Sequence, residues 1–350
     1  MKRLFALLLA LAMILTATAA FATSDAAAPA TPIKVGVVTP DADHGFTGES
    51  IAHARAELDA LAAAGTIEYK FVTGGEAAKQ VAGIEDLLNN WNPDIIVLWP
   101  IEGEQLRNAA QEIVDKGVKL IVYDRLIENF QGLTAEIMGD NEGIGNLMGK
   151  YLLNYFDADL KAGKTLTYLL FIGDSSTVSV QRTKGMVDIL NASPYAAQFQ
   201  MVHDPFPTNW SSATAQDQME NWLNTTDPSV ISNLSFICSH DDEVTDGVFN
   251  ALSSFTGDQN IRLITSVGAR RETLAEFDNA KIDLVTYYFS PSFIREAIRL
   301  AVAAQTGAQY QGQDINGQLF LIPTIQVDKT NVNDFRQSAE FIERYSVSAN

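Results

Sequence analysis

The chain has 350 residues, 19% of them charged and 47% apolar, with a formal net charge of −19. That length is enough for two domains with separate cores. So strong a negative charge argues against nucleic acid and anionic membrane surfaces as partners.

Lys2 and Arg3 open a basic start, Leu4 to Leu15 form a short apolar run, and Ala20-Phe21-Ala22 supplies small residues for cleavage. Residues 1–22 therefore read as a secretory signal, and 23–32 (TSDAAAPATP) as a flexible leader. Cys238 is the only cysteine, so no internal disulfide can form. Within LSFIC it reads as a small buried hydrophobe. No cysteine stands near the cleavage position, so the expectation is an exported, soluble periplasmic protein without a lipid anchor.

Apolar periodicity then predicts a strand over 33–39, a helix over 48–64, a strand over 68–72 and a helix over 77–91. A strand over 94–99, a helix over 103–116 and a strand over 118–122 follow. Strands separated by helices imply a parallel sheet with right-handed crossovers. The pattern restarts with strands near 165–172, 198–203, 233–238, 261–267 and 282–288. Helices near 177–191, 210–224, 242–254, 271–279 and 291–305 alternate with them. The fold class is α/β, with two successive doubly wound units. No long Pro/Gly-rich linker separates them, so the chain is expected to cross between lobes more than once, first at Gly139-Asp140-Asn141. The tail GQLFLIPTIQVDKTNVNDF is expected to carry one more strand and a turn.

In open α/β sheets, ligands bind at the carboxyl ends of the strands. There the strand 118–122 runs into Tyr123, Asp124 and Arg125. A carboxylate accepts hydroxyl protons and a guanidinium donates in a fixed fork, which suits a polyhydroxylated ligand. Other strand ends present Asp41, Asp43, His44 and Phe46, then Arg182, Trp210, Asp241 with Asp242, Arg270 with Arg271, and Tyr287 with Tyr288. Aromatic faces cover the C–H faces of a sugar while charged groups take its hydroxyls. Each residue also has a plainer reading. Phe46 and Trp210 could fill a core, Asp241 and Asp242 could start a helix, and Arg182 could face solvent. Their shared position at strand ends carries the case.

No G-x-S-x-G elbow, phosphate loop or H-E-x-x-H motif occurs. Asp41, Asp43 and His44, or His240 to Glu243, could ligate a metal, but short acidic runs mostly cap helices or face water. No metal or other cofactor is expected. Asp124 with Asp241 is the one carboxylate pair a sugar-acting enzyme could use, and binding without chemistry is the preferred reading.

Six stretches carry a resemblance: PDIIVLWPIEGEQL, GVKLIVYDRLIEN, GDNEGIGNLMGKYL, TNWSSATAQDQMENWL, CSHDDEVTDGVFNAL and PTIQVDKTNVNDF. Over residues 33 to 335 the chain resembles the type 1 periplasmic sugar-binding proteins of ABC importers, the xylose-binding branch above all. The resemblance implies two lobes joined by a three-segment hinge, with 33–139 plus 289–322 in one lobe and 140–288 plus 323–345 in the other. It also implies ligand capture by hinge closure and delivery by a monomer to an ABC transporter permease. A sensor presenting its closed form to a chemoreceptor or sensor kinase is the alternative partner reading.

Residue by residue, Asp124 and Arg125 match the family's sugar-hydroxyl pair, and Phe46 its first-loop aromatic. His44 stands where Asn is common. Asn141 belongs to the Asp-Asn that follows the Tyr-Asp-Arg block. Arg182 matches an arginine opposite the sugar, Trp210 a stacking aromatic, and Asp241 a position usually held by Asn. Two departures stand out. Arg270 and Arg271 replace a sugar-binding acid, and Tyr287 and Tyr288 occupy positions where Gln or Lys is common. Gaining an arginine raises a sugar acid as ligand, held by Arg270 with Arg125 or Arg182. The alternative leaves Arg270 and Arg271 facing solvent on the next helix.

Overall fold

The computed structural model describes residues 31–42, 45–279 and 281–347. The expected signal segment, most of the leader, and His44 lie outside the described residues.

The first half alternates β1 (Ile33–Thr39), α1 (Gly45–Ala63), β2 (Ile67–Thr73), α2 (Ala77–Asn90), β3 (Ile95–Leu98), α3 (Gly103–Asp115), β4 (Lys119–Tyr123) and β5 (Ala135–Gly139). Then come α4 (Asn141–Tyr155), α5 (Asp157–Lys161), β6 (Leu166–Ile172), α6 (Thr177–Ala192), β7 (Phe199–Met201) and β8 (Phe206–Pro207). They are followed by α7 (Ser212–Thr225), α8 (Pro228–Ser232), β9 (Leu234–Ser239), α9 (Asp242–Ser254), β10 (Leu263–Gly268), α10 (Arg271–Asn279) and β11 (Asp283–Tyr288). The chain ends in α11 (Ile294–Thr306), β12 (Gln318–Ile322), β13 (Gln326–Asp328), α12 (Val332–Phe335) and α13 (Ala339–Arg344).

Two sheets result, one per lobe. The first has the order β12-β5-β4-β3-β1-β2 and is parallel throughout. The second has the order β13-β11-β10-β9-β6-β7, with β8 also on β6, and only β13 runs antiparallel. Central strands such as β3, IIVL, are buried along their whole length, as sheets covered on both faces require. One face of the first sheet packs on α2 and α3 through Ile84, Leu87, Leu106 and Ile113. One face of the second packs on α7 and α9 through Met219, Trp222, Val244 and Val248.

The chain passes between the sheets three times, after Gly139, after Tyr288 and after Ile322. These passages touch. A Cβ on Gly139 would stand 2.2 Å from the Phe289 ring, so only glycine allows the approach. Asp140 N donates to Ile322 O, and Tyr288 N to Ile325 O. Close packing also places α4 against α6, where a Cβ on Gly145 would lie 2.2 Å from Arg182 O.

The alternation matches the expected α/β plan, and the differences have local causes. The tail holds two strands in different sheets rather than one strand and a turn. Pro323 follows β12, cannot donate to a ladder, and releases the chain toward the other lobe. The strand β5 and the helix α4 were not anticipated. The strand is short and carries Glu136, and the helix mixes Gly145 and Gly149 with Ile144, Met148 and Leu152 on its buried face.

Candidate ligand-binding cleft

One cavity lies between the lobes, and its charged and aromatic lining comes from the carboxyl ends of strands in both sheets. Phe46 follows β1, Trp99 follows β3, and Asp124 with Arg125 follow β4. Arg182 sits in α6 after β6, Trp210 follows β8, Asp241 follows β9, and Phe289 follows β11.

Asp124 adopts φ +67°, a left-handed conformation that Asp tolerates better than most residues. Its backbone N–H still donates to Ile137 O at 3.0 Å, so the strand turns sharply without losing its ladder bond. The side chain is 4% exposed. Burial raises its pKa, and the positive charges of Arg125 and Arg182 offset part of that rise. The Trp99 indole N–H also favours the charged form, but without a hydrogen bond of good geometry.

Arg125 donates to Ile101 O in its own lobe and lies 3.1 Å from Asp174 in the other. Burial alone would push the Asp174 carboxyl up. Arg125, Ser176 and Trp210 outweigh that and hold it below the usual range. Trp210 itself has φ +61° and donates Nε1–H to Asp174 Oδ2 at 2.8 Å. Its ring lies so near Gly173 that a Cβ there would stand 2.1 Å away.

Arg182 is buried to 2% exposure and needs partners. Its Nε donates to Asn141 Oδ1 at 2.9 Å and its Nη1 to His240 O at 2.5 Å. Its guanidinium lies 4.6 Å from the Phe289 ring centroid. Burial lowers its pKa to about 10, so it remains charged at neutral pH. Asp241 starts α9, accepting Glu243 N–H at 2.7 Å, and is pushed up to about 7 by burial and by Glu243 and Asp242. Phe46 packs at 6.0 Å perpendicular to Trp99 and at 5.5 Å from Phe289, which makes an aromatic wall.

Residues 35–309 match the periplasmic binding protein domain. The chain belongs to the periplasmic binding protein family. It is 25% identical over 272 residues to the D-xylose-binding periplasmic protein of Haemophilus influenzae, covering 74% of this chain and 76% of that one. A galactofuranose binding protein superposes with a TM-score of 0.74 over 90% of this chain and 99% of its own, at 14% identity. An ABC transporter solute binding protein from Bacillus halodurans with bound myo-inositol gives 0.73, covering 88% and 99%, at 18% identity. At these identities the two structures establish the fold alone. The curated relative and the fold neighbours are binding proteins, not enzymes.

Of the expected site residues of this binding protein, Phe46, Asp124, Arg125, Arg182, Trp210 and Asp241 line one cavity. Three others lie elsewhere. Asn141 is 1% exposed and serves as acceptor for Arg182. Tyr288 is 3% exposed and points its hydroxyl at Glu340 O, 3.0 Å away, so its ring packs behind the cleft. Arg270 lines a second, adjoining cavity, and its guanidinium is ringed by Asp246 at 3.1 Å, Glu272 at 3.6 Å and Glu243 at 3.9 Å. It is neither solvent-facing nor a cation awaiting a ligand carboxylate. Asp242 serves the fold instead. It accepts from Ser266, Thr286 and Arg270 N, which ties α9 to β10 and β11.

Trp99, Val178, Phe289 and Asp174 escaped sequence reading. Trp99 had a usable signal, since it ends an apolar strand as Asp124 does. Among the described residues no cluster of His, Cys, Asp or Glu could hold a metal, and no helix is long and apolar enough to cross a membrane.

Proposed function

We propose that this protein captures a neutral monosaccharide in the cleft, closes over it by hinge rotation, and delivers it from the periplasm to an ABC transporter permease. The carrying observation is the balanced lining. Asp124 and Arg125 come from one lobe, Asp241 and Arg182 from the other, and aromatic rings stand between them. Acid and arginine side by side offer acceptors and donors for hydroxyls, and with Asp174 also on Arg125 no cation is left unpaired for an ionic ligand. Arg270 is already engaged by acids, so a sugar acid finds no free cation there. The D-xylose-binding relative supports a pentose or hexose as ligand class. A ligand favours closure only through contacts made in the closed state, and here Arg182, Trp210 and Asp241 supply them from the second lobe.

The test is thermal unfolding of the exported form against neutral pentoses, hexoses, their uronic acids and small polyols. A bound sugar at a hundredfold excess over its Kd stabilises the protein by about 2.7 kcal/mol. A shift with one or a few neutral sugars is expected. A shift with uronic acids alone would overturn the neutral-ligand reading, and no shift at all would remove the sugar.

A further inference from the structure

Gly45 opens α1 in the first lobe, and Glu243 lies in the first turn of α9 in the second. An ideal Cβ on Gly45 would stand 2.1 Å from Glu243 Oε1 and 3.2 Å from its carboxyl carbon. All three of its nearest neighbours are atoms of that one carboxylate. Helical backbone alone tolerates alanine at this position, so the obstacle comes only from the opposite lobe. The contact sits beside the ligand cavity: Phe46 is the next residue after Gly45, and Asp241 is two before Glu243. The obstacle is the end of a flexible side chain, so its weight depends on what holds Glu243 in place. The Glu243 side chain is 19% exposed and pairs with Arg270 at 3.9 Å. Arg270 is in turn fixed by Asp246 at 3.1 Å and by its own N–H on Asp242 at 2.6 Å.

We propose that Gly45 and Glu243 form a closing contact between the lobes, with Arg270 as the positioning residue that holds the carboxylate in place. The contact sets how far the lobes shut and therefore how tightly Phe46 and Asp241 grip a sugar. Arg270 thus acts on affinity through Glu243 without touching the ligand, which gives a role to the arginine that replaces an acid. This rests on the closed-cleft sugar reading above.

The test is a double-mutant cycle of Gly45→Ala and Glu243→Ala, read by calorimetry and stopped-flow titration with D-xylose. Gly45→Ala alone should weaken binding roughly fivefold, within the coupling range of contacting residues, through faster dissociation with an unchanged association rate. In the Glu243→Ala background the same change should have no effect, because the obstructing carboxylate is gone. Arg270→Gln, which lets Glu243 swing clear, should shrink the Gly45→Ala penalty. An equal penalty in both backgrounds would overturn the proposal and reassign the effect to α1 itself. The four proteins are also compared without sugar, using spin labels at Glu85→Cys in α2 and Asp217→Cys in α7. Gly45→Ala should lengthen the shortest, lobe-closed distance in the distribution only where Glu243 is present. If D-xylose fails to bind the parent, the ligand assignment falls, while the distance comparison still decides the contact: an equal shortest distance in all four proteins sinks it.

Discussion

Arg125 Nη2 lies 3.1 Å from Asp174 Oδ2, and the two residues belong to different lobes. Their side chains are 10% and 17% exposed, so water screens the pair weakly. The same Asp174 oxygen accepts Trp210 Nε1–H at 2.8 Å. One carboxylate therefore couples closure of the cleft to the placement of the Trp210 ring.

Removing that carboxylate should release both. Truncating one partner of a buried, hydrogen-bonded charge pair typically costs about 2 kcal/mol or more, mostly in the dissociation rate. Asp174→Ala is expected to speed sugar release at least tenfold, while Asp174→Asn, which keeps an acceptor for Trp210, should fall between it and the parent. Stopped-flow tryptophan fluorescence reads both. Equal release rates in all three proteins would show that the pair does not support closure.

Asp124 shows a conflict between stability and binding. Burial raises its pKa, which means the folded lobe resists the charge that a sugar hydroxyl would exploit. Asparagine has nearly the same shape and also tolerates φ +67°. Asp124→Asn should therefore leave the unligated melting temperature unchanged or higher. Sugar affinity should drop by about 1.5–3 kcal/mol, the value of a hydrogen bond to a charged group. A variant that melts lower and binds normally would contradict both halves.

What the sequence made legible follows from how each residue signals itself. Asp124 and Arg125 are visible because charge at the end of an apolar strand demands a reason, and Phe46, Arg182, Trp210 and Asp241 because they repeat that position. Phe289 and Val178 carry no such mark, since an apolar residue lines a cleft or fills a core according to its tertiary surroundings alone. Asn141 and Tyr288 misdirect for the opposite reason. Both are polar and stand at strand ends, yet one supports Arg182 and the other bonds Glu340 O. Arg270 looked free because two of its three acidic partners, Glu243 and Asp246, come from another helix. The lobes were legible from alternation, whereas in α4 the apolar stripe of Ile144, Met148 and Leu152 is diluted by Gly145 and Gly149, which lie against α6.

Stability should depend on pH through two opposed sets of groups. Asp241 and Asp246 are each raised to about 7, by burial first and then by neighbouring acids. Their folded forms bind protons more tightly than the unfolded chain, so stability falls as pH rises from about 4 through 7. His53 and His240 are lowered to about 4 and 3 by burial, so their contribution rises with pH from there to their unfolded value near 6.5. The two trends oppose each other below about 6.5, and above it only the aspartate loss remains. A broad plateau followed by a decline through pH 7 is expected in chemical denaturation. Asp246→Asn should flatten the decline, and an unaltered decline in that variant would exclude Asp246 as a source.

Gly173 offers the most local test of the Trp210 ring. An alanine Cβ at this position would lie 2.1 Å from the Trp210 ring, with several ring atoms within 2.3 Å, so the indole must move. Trp210 cannot move without disturbing its present contacts. Its backbone is already at φ +61°, and its N–H is aimed at Asp174. The displaced ring should lose that hydrogen bond and its contact with Arg182, at 5.8 Å from the ring centroid. Gly173→Ala is therefore expected to shift the tryptophan emission and to weaken sugar binding by about tenfold, comparable to losing one stacked or charge-linked aromatic contact. Trp210→Ala should weaken binding to a similar degree, and the double variant should be no worse than Trp210→Ala alone. If Gly173→Ala still weakens binding when Trp210 is absent, the glycine matters for the β6 strand end rather than for the ring.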